Sequence, residues 1–82
     1  MAIILCEFEF MEEKFGIECQ DDFDNLTNQQ VADIANNPDN REEGVDVFKS
    51  VKDLEAAWRT EELFDPRDSY MRVIPNKLLT QV

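Results

Sequence analysis

Residues 2–10, AIILCEFEF, constrain the fold of this chain more than any other segment. From Ile4 onwards apolar residues alternate with polar ones, which is the period of a β-strand with one buried face. Ile3 and Leu5 place apolar side chains on the second face near the start. A strand that is apolar on both faces is usually central in its sheet. The segment therefore predicts a strand that starts in the middle of a sheet and carries Glu7 and Glu9 on its more polar face.

A second alternating segment, FGIEC at residues 15–19, follows after the four residues MEEK. If MEEK forms a loop, the paired positions sum to 25 and the apolar pairs share one face of a hairpin. These pairs are Phe10 with Phe15, Phe8 with Ile17, and Cys6 with Cys19, while Glu7 lies opposite Glu18. We therefore predict a hairpin over residues 2–19. The alternatives are a helical turn at 11–15 and a bulge at Gly16 next to a shorter turn.

Two helices and two further strands are predicted downstream. Thr27 and Gln30 form a capping box ahead of a helix over residues 28–36, which ends before Pro38. The polar segment NNPDNREEG, residues 36–44, is typical of an exposed loop. The remaining elements are a strand at 45–49, a helix capped by Ser50 with a buried face of Val51, Leu54, Ala57 and Trp58, and a strand at 69–74 ended by Pro75.

These elements predict an α+β fold in the order β-β-α-β-α-β. The stretch from residue 45 to residue 74 is long enough for a right-handed crossover between parallel strands. We therefore expect a mixed four-stranded sheet with both helices packed on one face, the face that carries Phe8 and Phe10. Residues 1–76 would form one small domain and residues 77–82 a C-terminal tail.

Acidic residues are concentrated in the first part of the chain. Residues 1–47 hold thirteen Asp and Glu against two basic residues, whereas residues 48–82 hold six of each, so the net charge of −11 comes entirely from the first part. Direct binding to nucleic acid or to an anionic membrane needs the opposite charge. The charge instead favours a basic protein partner, because an acidic surface steers such encounters. No apolar run is long enough to span a membrane, and MAIILCEF lacks the basic segment of a signal peptide, so we expect a cytoplasmic protein.

The sequence contains no recognisable catalytic or metal-binding motif. The chain has no histidine, which removes the commonest general base and most catalytic zinc sites. The aspartates at residues 21–24 do not complete a calcium loop, because Leu26 falls where an oxygen ligand is needed. We therefore expect no enzyme activity, no cofactor and no metal. Cys6 and Cys19 are expected to be reduced core thiols, and a disulfide is the alternative under oxidation, because opposed hairpin residues lie within disulfide distance.

The function that the sequence predicts is binding to a basic protein partner through carboxylates. The predicted partner-binding residues are Glu7, Glu9, Glu18, Asp21, Asp22, Asp24, Glu42 and Glu43. In its size and its charge the chain resembles small acidic inhibitors that act as nucleic-acid mimics, which occur among the anti-restriction and anti-CRISPR proteins of phages and other mobile elements. That resemblance implies inhibition of a nucleic-acid-processing complex.

Charge spacing sets a condition on such mimicry. Duplex DNA carries one charge per roughly 1.7 Å of axis, whereas carboxylates on alternate residues of a strand lie about 6.8 Å apart. The hairpin, the Asp21–Asp24 loop and Glu42–Glu43 would therefore have to converge on one face. The alternative function is a structural or assembly module, such as a homodimer, that uses apolar contacts and is kept soluble by its charge. Its candidate contacts are Phe23, Phe64, Leu78 and Leu79.

Overall fold

The computed structural model describes residues 1–61 and 66–79, which form an α+β fold around a three-stranded antiparallel sheet. The strands are β1 (Ala2–Glu7), β2 (Val45–Phe48) and β3 (Ser69–Ile74). The helices are α1 (Phe8–Phe15), α2 (Gln20–Asp24), α3 (Asn28–Asn36), α4 (Pro38–Glu43) and α5 (Val51–Thr60). Two short 3-10 turns, Pro66–Asp68 and Asn76–Leu78, flank β3.

The central strand of the sheet is β1, in keeping with its two apolar faces. The strand order is β2-β1-β3, and both neighbours run antiparallel to β1. Cys6, for example, lies opposite Val45 of β2 and Tyr70 of β3. The Glu7 amide donates to the Gly44 carbonyl over 2.8 Å, which extends the bonding between β1 and the β2 side to the last residue of β1. β2 and β3 are consequently the edge strands of this sheet.

The two faces of the sheet carry apolar clusters of different size. The larger cluster joins the Ile4 face of β1 to buried side chains of α1, α2 and α3. The smaller cluster contains Ile3 and Leu5 on the opposite face and is covered by Leu54 and Ala57 of α5. Helices therefore lie on both sides of the sheet. The prediction that both helices pack on one face is wrong, because the second apolar face of β1 also has to be buried.

The predicted hairpin over residues 2–19 is wrong, because the chain enters α1 directly after β1. The alternative interpretation, a helical turn at 11–15, lies within that helix. The two cysteines are consequently not opposed. Cys6 is buried in the larger cluster, whereas Cys19 is exposed and precedes α2. Both are free thiols, but the prediction that Cys19 is a core thiol is wrong.

The C-terminus of α1 explains why these residues form a helix. Gly16 has φ 68°, and its amide donates to the Glu12 carbonyl over 3.1 Å. The Ile17 amide donates to the Met11 carbonyl over 3.2 Å. The bond from Gly16 to Glu12 is that of an αL cap, in which glycine adopts the left-handed conformation without a Cβ penalty. Gly16 is therefore the cap of a helix and not a bulge in a strand.

The segment predicted as an exposed loop, residues 36–44, contains α4, so this prediction is also wrong. The Asp39 amide donates to Asn37 Oδ1 over 3.0 Å, which caps the helix, and Pro38 occupies its first turn. Proline is tolerated there because the first amides of a helix have no intrahelical partner. Gly44 follows the last helical residue and leads into β2.

Other predicted elements are confirmed. α3 carries the predicted capping box, in which the Gln30 amide donates to the Thr27 hydroxyl over 3.1 Å and the Thr27 amide donates to the Gln30 side chain over 2.8 Å. α5 begins after Ser50, whose hydroxyl accepts from the Asp53 amide over 3.2 Å. β2 and β3 lie where the sequence predicts them, and β3 spans residues 69–74.

The second half of the chain differs from the prediction in its topology. Because β2 and β3 both pair antiparallel with β1, the predicted parallel crossover and mixed sheet are wrong. Residues 1–61 and 66–79 contain three strands rather than four, in the order β-α-α-α-α-β-α-β. Trp58 and Val51, predicted to be buried, are both exposed. The smaller cluster has only three buried side chains, and Leu54 and Ala57 are enough to cover it.

The residues after β3 pack partly on the larger cluster. Leu78 and Leu79 are partly buried against it, and Asn36 Nδ2 donates to the Leu78 carbonyl over 3.1 Å. Residues 80–82 lie outside the described residues. The boundary between a domain at 1–76 and a tail at 77–82 stays a prediction.

Candidate partner-binding site

Helix α1 is the element around which acidic side chains gather. Phe10 and Met11 form its buried side. Glu9, Glu12 and Glu13 are exposed. Residues three and four apart on a helix are neighbours, with about 5–6 Å between their Cβ atoms. These three carboxylates therefore form one dense group on the exposed surface of the helix.

A first cleft, which we call the Glu43 cleft, lies where α1 meets the ends of β1 and α4. Its lining residues are Glu7, Glu9, Phe10, Glu13, Lys14 and Glu43. Lys14 Nζ lies 3.2 Å from Glu43 Oε2, in an ion pair whose two side chains are about half exposed. The cleft thus contains four carboxylates and one lysine. It keeps an excess of negative charge.

A second cleft, which we call the Tyr70 cleft, lies on the other side of Phe8. Its lining residues are Phe8, Glu12, Glu18, Cys19, Gln20 and Tyr70. The rings of Phe8 and Tyr70 are in contact, with centroids 4.6 Å apart, and Tyr70 also stacks on the buried Phe23 at 5.6 Å. Phe8 is 39% exposed and Tyr70 only 5%. Two aromatic rings and two carboxylates are therefore held next to each other.

Arg72 holds β3, which carries Tyr70, against the helices. Its guanidinium donates to the Phe23 carbonyl over 2.9 Å and to Asn28 Oδ1 over 3.1 Å. A further bond of 3.3 Å reaches the Asp24 carbonyl, so that one cation bonds acceptors at the end of α2 and the start of α3. A cation near the C-terminus of a helix is also favoured by the helix dipole.

The environment of Tyr70 affects its ionisation. Burial raises the pKa of the Tyr70 phenol above its usual value, and negative charge on neighbouring side chains raises that pKa further; these neighbours are Cys19, Asp22, Glu12 and Glu18. Three of the four line the Tyr70 cleft. The phenol of Tyr70 therefore stays protonated at neutral pH.

A third cleft shares residues with both of the others. It is lined by Glu7, Phe8, Glu9 and Asp68. Glu7 and Glu9 belong to the Glu43 cleft, and Phe8 belongs to the Tyr70 cleft. We call the combined surface the α1 acidic surface, and its carboxylates are Glu7, Glu9, Glu12, Glu13, Glu18, Glu43 and Asp68.

The structure brings four of the eight predicted site residues into these clefts, namely Glu7, Glu9, Glu18 and Glu43. Asp22 does not line the clefts but lies close enough to Tyr70 to influence it electrostatically. The other three, Asp21, Asp24 and Glu42, are exposed on α2 and α4 and line neither cleft. Their role in partner binding stays a prediction.

Three carboxylates of this surface, Glu12, Glu13 and Asp68, were not among the predicted site residues. Glu12 and Glu13 fall in the MEEK segment that was interpreted as a hairpin loop. The spacing of Phe8, Met11 and Phe15 is also helical, and this spacing together with Gly16 was the available signal for α1. No local signal connects Asp68 to α1, because that contact depends on the fold.

The apolar contacts proposed for an assembly module are only partly available. Phe23 is fully buried, so the prediction that it forms an intermolecular contact is wrong. Phe64 lies outside the described residues. Met71 and Val73 of β3 are instead the apolar side chains exposed on an edge strand, at 53% and 51%. The assembly function stays a prediction.

Two classes of site are absent from the described part of the chain. Residues 1–61 and 66–79 contain no group of three or more His, Cys, Asp or Glu side chains placed to hold a metal ion. Among the same residues, no helix has both the length and the apolar composition needed to cross a membrane.

Comparison with known proteins adds no relative to this description. No protein-family model, curated protein or solved structure matches the chain. Functional inference therefore depends on the chemistry of the two clefts and on the charge of the surface around them.

Proposed function

We propose that the protein is a non-catalytic binding module that presents carboxylates to a basic, nucleic-acid-binding protein in the cytoplasm and inhibits or regulates that protein. The observation that supports this proposal is the gathering of carboxylates from separate segments around α1. Glu7 ends β1, Glu43 ends α4, and both line one cleft with the carboxylates of α1. Mimicry of a nucleic acid required the hairpin, the Asp21–Asp24 loop and Glu42–Glu43 to converge on one face. Glu43 meets this condition, whereas Asp21, Asp24 and Glu42 line neither cleft.

Charge density on α1 supports the mimic form of this proposal. Glu9 and Glu13 are four residues apart, which is about 6 Å of helix axis, and Glu12 lies between them. One carboxylate per about 3 Å is close to the charge spacing of about 3.4 Å along one strand of duplex DNA, and it is about half the density of both strands together, which carry one charge per roughly 1.7 Å. Alternate residues of a β-strand would place their carboxylates about 6.8 Å apart. A helix at this position therefore provides roughly twice the charge density of the predicted hairpin strand.

The proposal is tested with a panel of purified proteins that bind duplex DNA, each assayed for DNA binding with and without this protein. We expect competition with DNA for at least one member of the panel. The affinity of that member for this protein, measured without DNA, should fall from about 50 to about 200 mM salt, because exposed charges are screened within about 8–10 Å at physiological ionic strength. A complex that is unchanged over this range would refute binding through the acidic surface.

Two triple variants with equal net charge separate local from global electrostatics. The first carries Glu7→Gln, Glu9→Gln and Glu13→Gln in the Glu43 cleft. The matched control carries Asp53→Asn, Glu55→Gln and Glu61→Gln, which lie in and next to α5 and line neither cleft. At about 0.2–1 kcal/mol per exposed ion pair, the first variant should bind its partner about three- to 150-fold more weakly. Equal losses in both variants would show that only the total charge matters.

A second candidate function, assembly into a homodimer, is favoured by β3. An edge strand with exposed apolar side chains is a template for pairing with another chain. If Met71 and Val73 form such an interface, sedimentation equilibrium gives twice the mass of one chain, and the mass does not fall at high salt. Val73→Lys should then restore the monomer. A monomer at all protein concentrations excludes this function.

A further inference from the structure

We propose that the Tyr70 cleft binds the guanidinium group of an arginine side chain on the basic partner. This inference rests on the proposed function and deepens it, because it specifies which group of the partner is recognised and where. The cleft combines hydrogen-bond acceptors, negative charge and an exposed aromatic ring, the three features that a guanidinium group requires.

The acceptors of the cleft come from three elements. Glu12 lies on α1, Glu18 lies in the loop that follows it, and Gln20 begins α2. Gln20 Nε2 donates to Asp24 Oδ1 over 2.8 Å and to the Met71 carbonyl over 3.4 Å. Its amide hydrogens are thereby engaged, and its Oε1 is left to accept. The lining residues include no Lys or Arg.

The hydroxyl of Tyr70 is an independent indication of a ligand. Tyr70 is 5% exposed, and no described residue forms a hydrogen bond with its hydroxyl, which remains accessible from the cleft. A buried tyrosine usually has a hydrogen-bond partner for this group. The phenol oxygen can accept a hydrogen bond from a guanidinium, while the phenol O–H can donate a hydrogen bond to a neighbouring carboxylate.

Phe8 provides the flat surface for the ligand. Its ring is held against Tyr70 at a centroid distance of 4.6 Å and still exposes 39% of the residue. A cation over such a ring gains about 0.5–1 kcal/mol at an exposed site. Arginine suits the cleft better than lysine, because its planar group stacks on the ring while its five N–H donors reach acceptors around the rim.

The experiment is an NMR titration of the full chain with three probes, the N-acetyl, N′-methylamide derivatives of arginine, lysine and citrulline. Citrulline has nearly the shape of arginine but carries no charge. We expect chemical-shift changes at Phe8, Glu18, Gln20 and Tyr70, with arginine binding several-fold more tightly than lysine and citrulline not binding. Equal affinity for arginine and lysine, or shift changes centred on the Glu43 cleft, would overturn the assignment.

Variants identify the groups that hold the probe. Tyr70→Phe keeps the ring and should weaken arginine binding about two- to tenfold by removing one hydrogen bond. Phe8→Leu should weaken it about two- to fivefold by removing the aromatic face. The paired change Glu12→Gln with Glu18→Gln has a control of equal charge, Glu9→Gln with Glu13→Gln, which should leave more of the binding intact. If Tyr70→Phe and Phe8→Leu both have native spectra and bind the arginine derivative as tightly as the wild type does, the proposed site is refuted.

The titration needs no protein partner, so its outcome is distinct from that of the competition assay. If the probe binds as described but no DNA-binding protein is displaced, the guanidinium site stands and the proposed function fails. If displacement occurs and depends on the Glu43 cleft while the arginine probe does not bind, the proposed function stands and this inference fails.

Discussion

Replacing Gly44 with alanine tests how closely α1 approaches the junction between α4 and β2. A Cβ atom at Gly44 would lie 2.5 Å from Phe10 Cγ and 2.6 Å from Phe10 Cβ, far inside van der Waals contact. Gly44 has φ −173°, an extended conformation that any residue can adopt, so the cost of alanine is steric. Phe10 cannot move aside easily, because it is buried in the larger cluster and its ring packs edge-on against Phe15 at 5.9 Å.

The expected destabilisation follows from the number of atoms added. Forcing one extra methyl group into a well-packed core costs about 1–3 kcal/mol. For a domain of this size, each kcal/mol lowers Tm by about 4–8 °C. We therefore expect Gly44→Ala to lower Tm by about 4–24 °C. Partner binding through the Glu43 cleft should weaken as well, because Phe10 and Glu43 both line it.

Circular dichroism during heating measures the effect, and Gly16→Ala provides a control with a different physical cause. A Cβ at Gly16 meets no atom within 4 Å, but φ is +68°. Its cost is backbone strain of about 1–2 kcal/mol, and asparagine, which tolerates this conformation, should recover part of it. At Gly44 asparagine should be no better than alanine. A Tm for Gly44→Ala within about 2 °C of the wild type would refute the steric argument.

Two further predictions concern the partly buried Arg72 and the buried Cys6. Arg72→Met should lower the free energy of unfolding, measured in urea, by about 1.5–3 kcal/mol, because it leaves the Phe23 carbonyl and Asn28 without their charged donor. Arg72→Lys should recover part of the loss. Burial, with a smaller effect of Asp46, raises the pKa of the Cys6 thiol from 9.0 to about 12. Because this pKa is higher in the folded state than in the unfolded state, the neutral thiol stabilises the fold fully below about pH 9. This contribution to the free energy of unfolding is lost as the pH rises towards 12, by at most about 4 kcal/mol. Cys6→Ala should make the free energy of unfolding depend less steeply on pH over this range.

Each of these predictions has a clear contrary result. If Arg72→Met unfolds at the same urea concentration as the wild type, water replaces the three guanidinium hydrogen bonds without loss of stability. For the cysteines, a thiol reagent should modify Cys19 alone in the native protein and both thiols in urea, because Cys6 is buried and Cys19 exposed. Two reactive thiols in the native protein would contradict the burial of Cys6.

The elements that can be predicted from this sequence are those with local and unambiguous signals. β3 is bounded by Pro75, and α3 begins with a capping box whose two residues bond each other as expected. The prediction for residues 8–15 is wrong because their apolar pattern fits both the period of a strand and the period of a helix. Phe8 and Phe10 alternate like a strand, while Phe8, Met11 and Phe15 repeat like a helix. The αL cap at Gly16 favours the helix in the folded chain.

Strand direction and the site itself depend on contacts that are distant in sequence. The pairing of Glu7 with Gly44 places the end of α4 beside the start of α1, and so brings Glu43 into the same cleft as Glu9. Nothing near Glu7 or Glu43 in the sequence indicates this pairing. Composition could therefore predict an acidic surface and its charge, but it could not predict which carboxylates meet.

The change from hairpin to helix also alters what kind of surface the carboxylates form. In the hairpin, Phe8 and Phe10 would share the core face, and the glutamates would stand apart on the other. In the helix, Phe10 stays buried, whereas Phe8 turns outward beside Tyr70 and next to Glu12. Carboxylates alone attract any basic protein and confer little selectivity between lysine and arginine. An aromatic ring among them adds a planar surface that favours arginine, so the same local change that raises the charge density also provides a basis for discrimination.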